Sequence, residues 1–129
     1  MSILKTAIIE AAMGPVEFIG SDKAVRHYCF PSDFIGFSGH FPGYPVLPAF
    51  LQVLTALTVI EQWKGQSFQF TSMERAKFHI ELRPDQEITV QCKEYEEKGK
   101  PAVEAKLLVA EGLAASLILK FEKRIESDE

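Results

Sequence analysis

The stretch FSGHFPGYPVLPAF, residues 37–50, places a histidine among two glycines and three prolines and runs directly into an apolar segment. An imidazole exchanges its proton near neutral pH, so His40 is a candidate general base. Phe41, Pro42, Gly43, Pro45 and Pro48 limit the surrounding backbone to a few shapes. Such stiffness serves a reacting histidine and an ordinary structural bend equally well. Taken alone, a loop histidine is better explained by a hydrogen bond to backbone. His27 and His79 fall in strand-like surroundings and read as structural or solvent-facing. Cys29 and Cys92 stand far apart and match no metal-ligand spacing, so they read as reduced, buried thiols, and no metal site is expected.

The segment that follows must position that histidine. From Leu47 to Trp63 nearly every residue is apolar or small, with no charge before Glu61. The pattern predicts a helix with almost no solvent face, which other elements must wrap. Pro48 suits its first turn, because the missing N–H would be unpaired there anyway. Lys64-Gly65 ends it.

The wrapping is supplied by strands. Lys23 to Phe30 alternates loosely, and Ala76, Phe78, Ile80 and Leu82 alternate strictly with Lys77, His79, Glu81 and Arg83, the period of a sheet with one buried face. Pro84-Asp85 makes a turn; Ile88, Val90 and Cys92 continue the alternation; Glu96 to Pro101 forms a polar turn. Two more strands are expected near Val103 to Val109 and Leu113 to Phe121, separated by Glu111-Gly112. Residues 3–13 are a short helix or a strand, ending at the turn signal Met13-Gly14-Pro15. The fold class expected is α+β: an antiparallel sheet curved around one long helix, a single domain over 1–129 with an N-terminal segment (1–22) and a charged tail (122–129).

Composition narrows the function classes. With 129 residues, 47% of them hydrophobic, 25% charged and a formal charge of -4, the chain suits one soluble domain and not a general nucleic-acid binder. The first twenty residues lack a secretory pattern, and no apolar run approaches the roughly 20 residues of a membrane span. A cytoplasmic protein without a membrane segment is expected.

Residues 39–54, GHFPGYPVLPAFLQVL, resemble the signature of the β-hydroxyacyl-acyl carrier protein dehydratases of the FabA/FabZ type. Residues 74–92, ERAKFHIELRPDQEITVQC, are similar to that family's paired strands joined by a proline turn. The resemblance spans roughly Ala24 to Lys123 and implies the hotdog fold, usually a dimer with its two sheets joined edge to edge. It implies that His40, flanked by Gly39, Phe41, Pro42 and Gly43, takes the α-proton of a thioester. It also implies that the Ala49 backbone N–H, just after Pro48, meets the thioester oxygen.

The family's acid, fourteen residues beyond the histidine and contributed across the dimer, falls on Leu54, which has no proton to give. Losing such a donor costs on the order of 3–5 kcal/mol of barrier. Glu61 lies about 10 Å further along the helix, Gln52 points away from the Leu54 face, and Thr58 can only position water or substrate. Catalysis by this chain alone is therefore left open.

What the resemblance implies is a (3R)-hydroxyacyl-carrier-protein dehydratase-like protein of fatty acid or polyketide-type synthesis. It would be a homodimer or a heterodimer with a related, acid-bearing dehydratase. The alternatives are a non-catalytic acyl or carrier-protein binding partner and a hotdog thioesterase. The substrate would arrive on the phosphopantetheine of an acyl carrier protein or on CoA, and no other cofactor is implied.

Overall fold

The computed structural model describes residues 3–37, 43–66 and 68–123. Six antiparallel strands form one sheet: β1 (Glu17–Ile19), β2 (Lys23–Cys29), β3 (Phe68–Phe78), β4 (Glu87–Glu97), β5 (Lys100–Val109) and β6 (Gly112–Lys123), in the order β1-β2-β4-β5-β6-β3. A short helix α1 (Ile3–Glu10) and a 3-10 turn (Ile35–Phe37) flank the long helix α2 (Ala49–Lys64). The last two turn-linked pairs are tight: β4 meets β5 across Lys98-Gly99, and β5 meets β6 across Ala110-Glu111.

The sheet curls around α2 because its inner face alternates apolar side chains at period two. Ala24 and Tyr28 of β2, Ile88, Val90 and Cys92 of β4, Val103, Ala105 and Leu107 of β5, and Ala115, Leu117 and Leu119 of β6 are buried in one core. Leu51, Ala56, Val59 and Ile60 of α2 complete it. The helix ends at Gly65, whose φ of 70° is in the left-handed region, with its N–H donating to the Glu61 carbonyl at 2.8 Å. The end of α1 is fastened to β2 through Met13 N–H to the His27 carbonyl (2.8 Å) and Cys29 N–H to the Ala11 carbonyl (2.9 Å).

The structure settles one open choice and moves several boundaries; the polar turn expected over Glu96 to Pro101, for one, shrinks to Lys98-Gly99. Residues 3–10 are helical, settling the open choice there. Pro48 is the N-cap of α2, one residue outside the helix, with φ -68° and ψ 158°. The strand expected over Ala76–Arg83 instead starts at Phe68 and stops at Phe78. Beyond it, the N–H groups of His79 and Ile80 both turn to one acceptor, the Ala114 carbonyl (2.7 and 3.2 Å), which takes the chain out of register with β6. Within that alternating stretch Leu82 is fully buried, whereas Phe78 is 43% exposed. Finally, β6 continues to Lys123, past the expected start of the tail. Strand β1 was not expected at all: three exposed residues at a sheet edge carry no periodic signal.

Candidate functional site

The start of α2 is built to leave donors free. Pro48 fixes the extended φ that an N-cap needs, but its side chain makes no capping hydrogen bond. The N–H groups of Leu51 and Gln52 are taken by the Pro48 carbonyl (3.0 and 3.2 Å). Ala49 is the first helical residue, so its N–H has no partner within the helix and lies at the positive end of the helix dipole. One turn in, Gln52 is only 4% exposed. Its Nε2 donates to the Leu47 carbonyl at 3.0 Å, which fixes the orientation of the amide, because that carbonyl can only accept. Among the described residues, the other end, Oε1, is buried with no hydrogen-bond partner.

The facing wall comes from the segment after β3. It is held on one side by Ala114 and on the other by Leu47, whose N–H donates to the Leu82 carbonyl at 2.7 Å. The Asp85 N–H closes the far end on the Phe30 carbonyl at 2.8 Å. Between the two walls lies an open cavity of about 320 Å³, lined by Leu47, Ala49, Gln52, Phe78, His79 and Glu81 among others. The Tyr44 hydroxyl donates to Glu81 Oε1 at 2.5 Å, and the Arg83 guanidinium sits 3.9 Å from the centre of the Tyr44 ring.

Gly39, His40, Phe41 and Pro42 lie outside the described residues. Gly43 is exposed and has a φ of 83°, a conformation that a side chain disfavours. Pro48 and Ala49 line the cavity. Leu54 is half-buried and packs against the core. Thr58 is buried, and its hydroxyl donates to the Thr55 carbonyl at 2.7 Å, so its proton is already engaged. The structure thus adds His79 and Glu81 to the helix start. From sequence His79 read as structural or solvent-facing and Glu81 as one polar position of the alternation, because tertiary bonds such as Leu47 to Leu82 bring their segment there. A larger cavity of about 480 Å³ lies between α1 and the 3-10 turn, lined by Ile3, Ala7, Phe34 and Ile35 among others, and contains none of the expected site residues.

Two titratable groups are buried away from this cavity. Burial pushes the Cys92 thiol up to about 12 from its ordinary 9.0. Burial likewise raises Tyr28 above its ordinary 10.0, opposed by Thr58 and Arg26 beside it. Both cysteines are free thiols. Among the described residues, no three His, Cys, Asp or Glu side chains are grouped to hold a metal, and no helix is long and apolar enough to cross a membrane.

Residues 18–116, more than half of the chain, match the family of ApeI-like dehydratases, described as ApeI dehydratase. The chain belongs to that family. It is also similar to the 3-hydroxyacyl-[acyl-carrier-protein] dehydratase FabZ of Streptococcus suis (strain 98HAH33), at 35% identity over 94 residues, which is 66% of this chain and 66% of that protein. The chain therefore matches just under two thirds of that relative's length. Among solved structures, the dehydratase heterocomplex ApeI:P from Xenorhabdus doucetiae superposes with a TM-score of 0.72 at 20% identity, covering 87% of this chain and 96% of that one. The PaaI protein of the E. coli phenylacetic acid degradation operon superposes with a TM-score of 0.65 at 11% identity, covering 92% and 89%. At these identities the superpositions establish the fold, which is the hotdog expected from residues 39–54 and 74–92. The dehydratase resemblance read from those same residues is borne out by the family match.

Proposed function

We propose that this chain is a dehydratase subunit that acts on β-hydroxyacyl thioesters and takes its acid from a partner. His40 removes the α-proton, and the Ala49 N–H receives the negative charge that develops on the thioester oxygen. The observation that carries the reading is the uncapped start of α2 facing an open cavity, together with hydrocarbon at Leu54. A site with a base and an oxyanion donor but no acid at that position is half of an elimination machine. The ApeI:P structure is a dehydratase heterocomplex by its own description. By analogy, the partner here is a related chain that carries the acid.

The surface suits such a partner. Phe50 of α2 is 59% exposed, and Met73 and Phe78 of the edge strand β3 are 42% and 43% exposed. Apolar side chains on a helix and on a strand with one unpaired edge favour edge-to-edge pairing of two sheets. The acyl group is carried on the phosphopantetheine of an acyl carrier protein or on CoA, in the cytoplasm. Proton transfer and oxyanion stabilisation account for the reaction, so the reading requires no metal or redox cofactor.

The test is hydration of a crotonyl thioester, the reverse reaction, by the chain alone and mixed with an acid-bearing family member. Activity in the mixture that His40→Ala in this chain abolishes is the expected result. No turnover and no thioester binding in either sample would refute the reading.

A further inference from the structure

Resting on that reading, we propose that Arg83 selects for a phosphorylated arm: its guanidinium, held on the Tyr44 ring outside the cavity, binds the phosphate that joins pantetheine to a carrier protein or to CoA. Pantetheine is long, so a thioester carbonyl at the start of α2 leaves that phosphate at the far end of the arm. The cavity, about 320 Å³, is at the small end for ligand sites and does not enclose the whole arm. No lysine or arginine is among the described residues that line it, so recognition of the phosphate falls to its rim.

Arg83 stands at that rim. Glu81 lines the cavity, the Tyr44 hydroxyl donates to Glu81 Oε1 at 2.5 Å, and the Arg83 guanidinium carbon lies 3.9 Å from the centre of the Tyr44 ring. One aromatic ring therefore separates the guanidinium from a carboxylate on the cavity wall. Tyr44 is 46% exposed and Arg83 is half-buried, which leaves the stacked pair accessible from solvent.

The guanidinium is fixed but not neutralised. Lys5, Lys64 and Lys120 each pair with a carboxylate, whereas Arg83 forms no ion pair among the described residues. Its segment is tied at three points: the Leu82 carbonyl accepts from Leu47 N–H at 2.7 Å, Arg83 N–H donates to Gln86 Oε1 at 3.0 Å, and Asp85 N–H donates to the Phe30 carbonyl at 2.8 Å. A planar guanidinium already stacked on a ring loses little freedom on binding, and its fork of N–H donors matches two oxygens of one phosphate. Of the two carboxylates that flank Arg83 in sequence, Glu81 already accepts from Tyr44, and Asp85 makes no ion pair with the guanidinium.

The experiment measures Kd by calorimetry for the full chain, alone and mixed with an acid-bearing family member, using saturated thioesters that bind without reacting. Butyryl-phosphopantetheine is compared with butyryl-pantetheine, which lacks the phosphate. Arg83→Ala is expected to weaken the phosphorylated ligand about tenfold to a hundredfold and to leave the unphosphorylated one unchanged, with Arg83→Lys between the two. Tyr44→Ala should weaken the phosphorylated ligand as well, but add nothing once Arg83 is alanine, because the ring acts through the guanidinium. Butyryl-CoA and a butyryl-loaded carrier protein distinguish the sources: a selective Arg83→Ala loss with either one supports the proposal and names the carrier. No loss with any phosphorylated ligand, or an equal loss with and without the phosphate, overturns it while leaving the dehydratase reading standing. Wild-type chain that binds none of these thioesters in either sample refutes both.

Discussion

The Tyr44 hydroxyl and the Glu81 carboxylate meet at 2.5 Å, joining the loop ahead of α2 to the segment that leaves β3. A second bond, Leu47 N–H to the Leu82 carbonyl at 2.7 Å, runs beside it. Because that backbone bond persists without the phenol, Tyr44→Phe should cost only about 1 kcal/mol, read as a fall of roughly 4 °C in Tm. Tyr44→Ala, which also removes the ring beneath Arg83, should cost more.

Gly36 is required for close approach, not for conformational freedom. A Cβ there would lie 2.4 Å from Leu51 Cδ1 and 2.4 Å from the Phe34 ring, both buried. Gly36→Ala should destabilise the chain by about 1–3 kcal/mol, measured by urea denaturation, as overpacked cores do.

Alkaline pH should unfold the protein from within. The Cys92 thiol stays protonated in the folded chain up to about 12 but ionises from its ordinary 9.0 once unfolded. A folded-state value above the unfolded one means full stability below pH 9, lost as pH rises towards 12. Tyr28, also raised by burial, acts in the same direction above its ordinary 10.0. Denaturation midpoints should fall across this window by roughly 1 kcal/mol per pH unit for the thiol, and Cys92→Ala should flatten the slope.

Leu54→Glu places a carboxylate at the position where the FabA/FabZ resemblance implies an acid. Activity of the chain alone should rise about tenfold to a hundredfold on crotonyl thioester. Because Leu54 packs against the core, folding stability should fall at the same time. A variant that is folded but no more active would mean that the helix face does not reach the substrate across a dimer.

The architecture was legible where period and punctuation agree. The uncharged run before Glu61, closed by Lys64-Gly65, marked α2; alternation marked β4, and Glu111-Gly112 separated β5 from β6. It failed where polar residues interrupt the period. Thr71 and Ser72 disguised the first half of β3, and the alternation from Ala76 to Arg83 continued past the point where the strand leaves its ladder. The site was legible only in its local part. Pro48 and Ala49 belong to one motif, but Glu81 joins them through a contact between residues 47 and 82 that no local pattern encodes. Gln52 illustrates the same limit. It was set aside because it points away from the Leu54 position, yet it lines the cavity at the helix start.

The proline before α2 sets a compromise between durability and use. A serine or aspartate in place of Pro48 would hydrogen-bond the first amides of the helix from within and should raise stability by roughly 0.5–2 kcal/mol. Such a side chain reaches the N–H of Phe50 or Leu51 and would leave the Ala49 N–H as it is. By keeping a residue that cannot cap, the chain forgoes that support at the first turn of α2 and, on the proposed reading, leaves the helix start open to a visiting carbonyl.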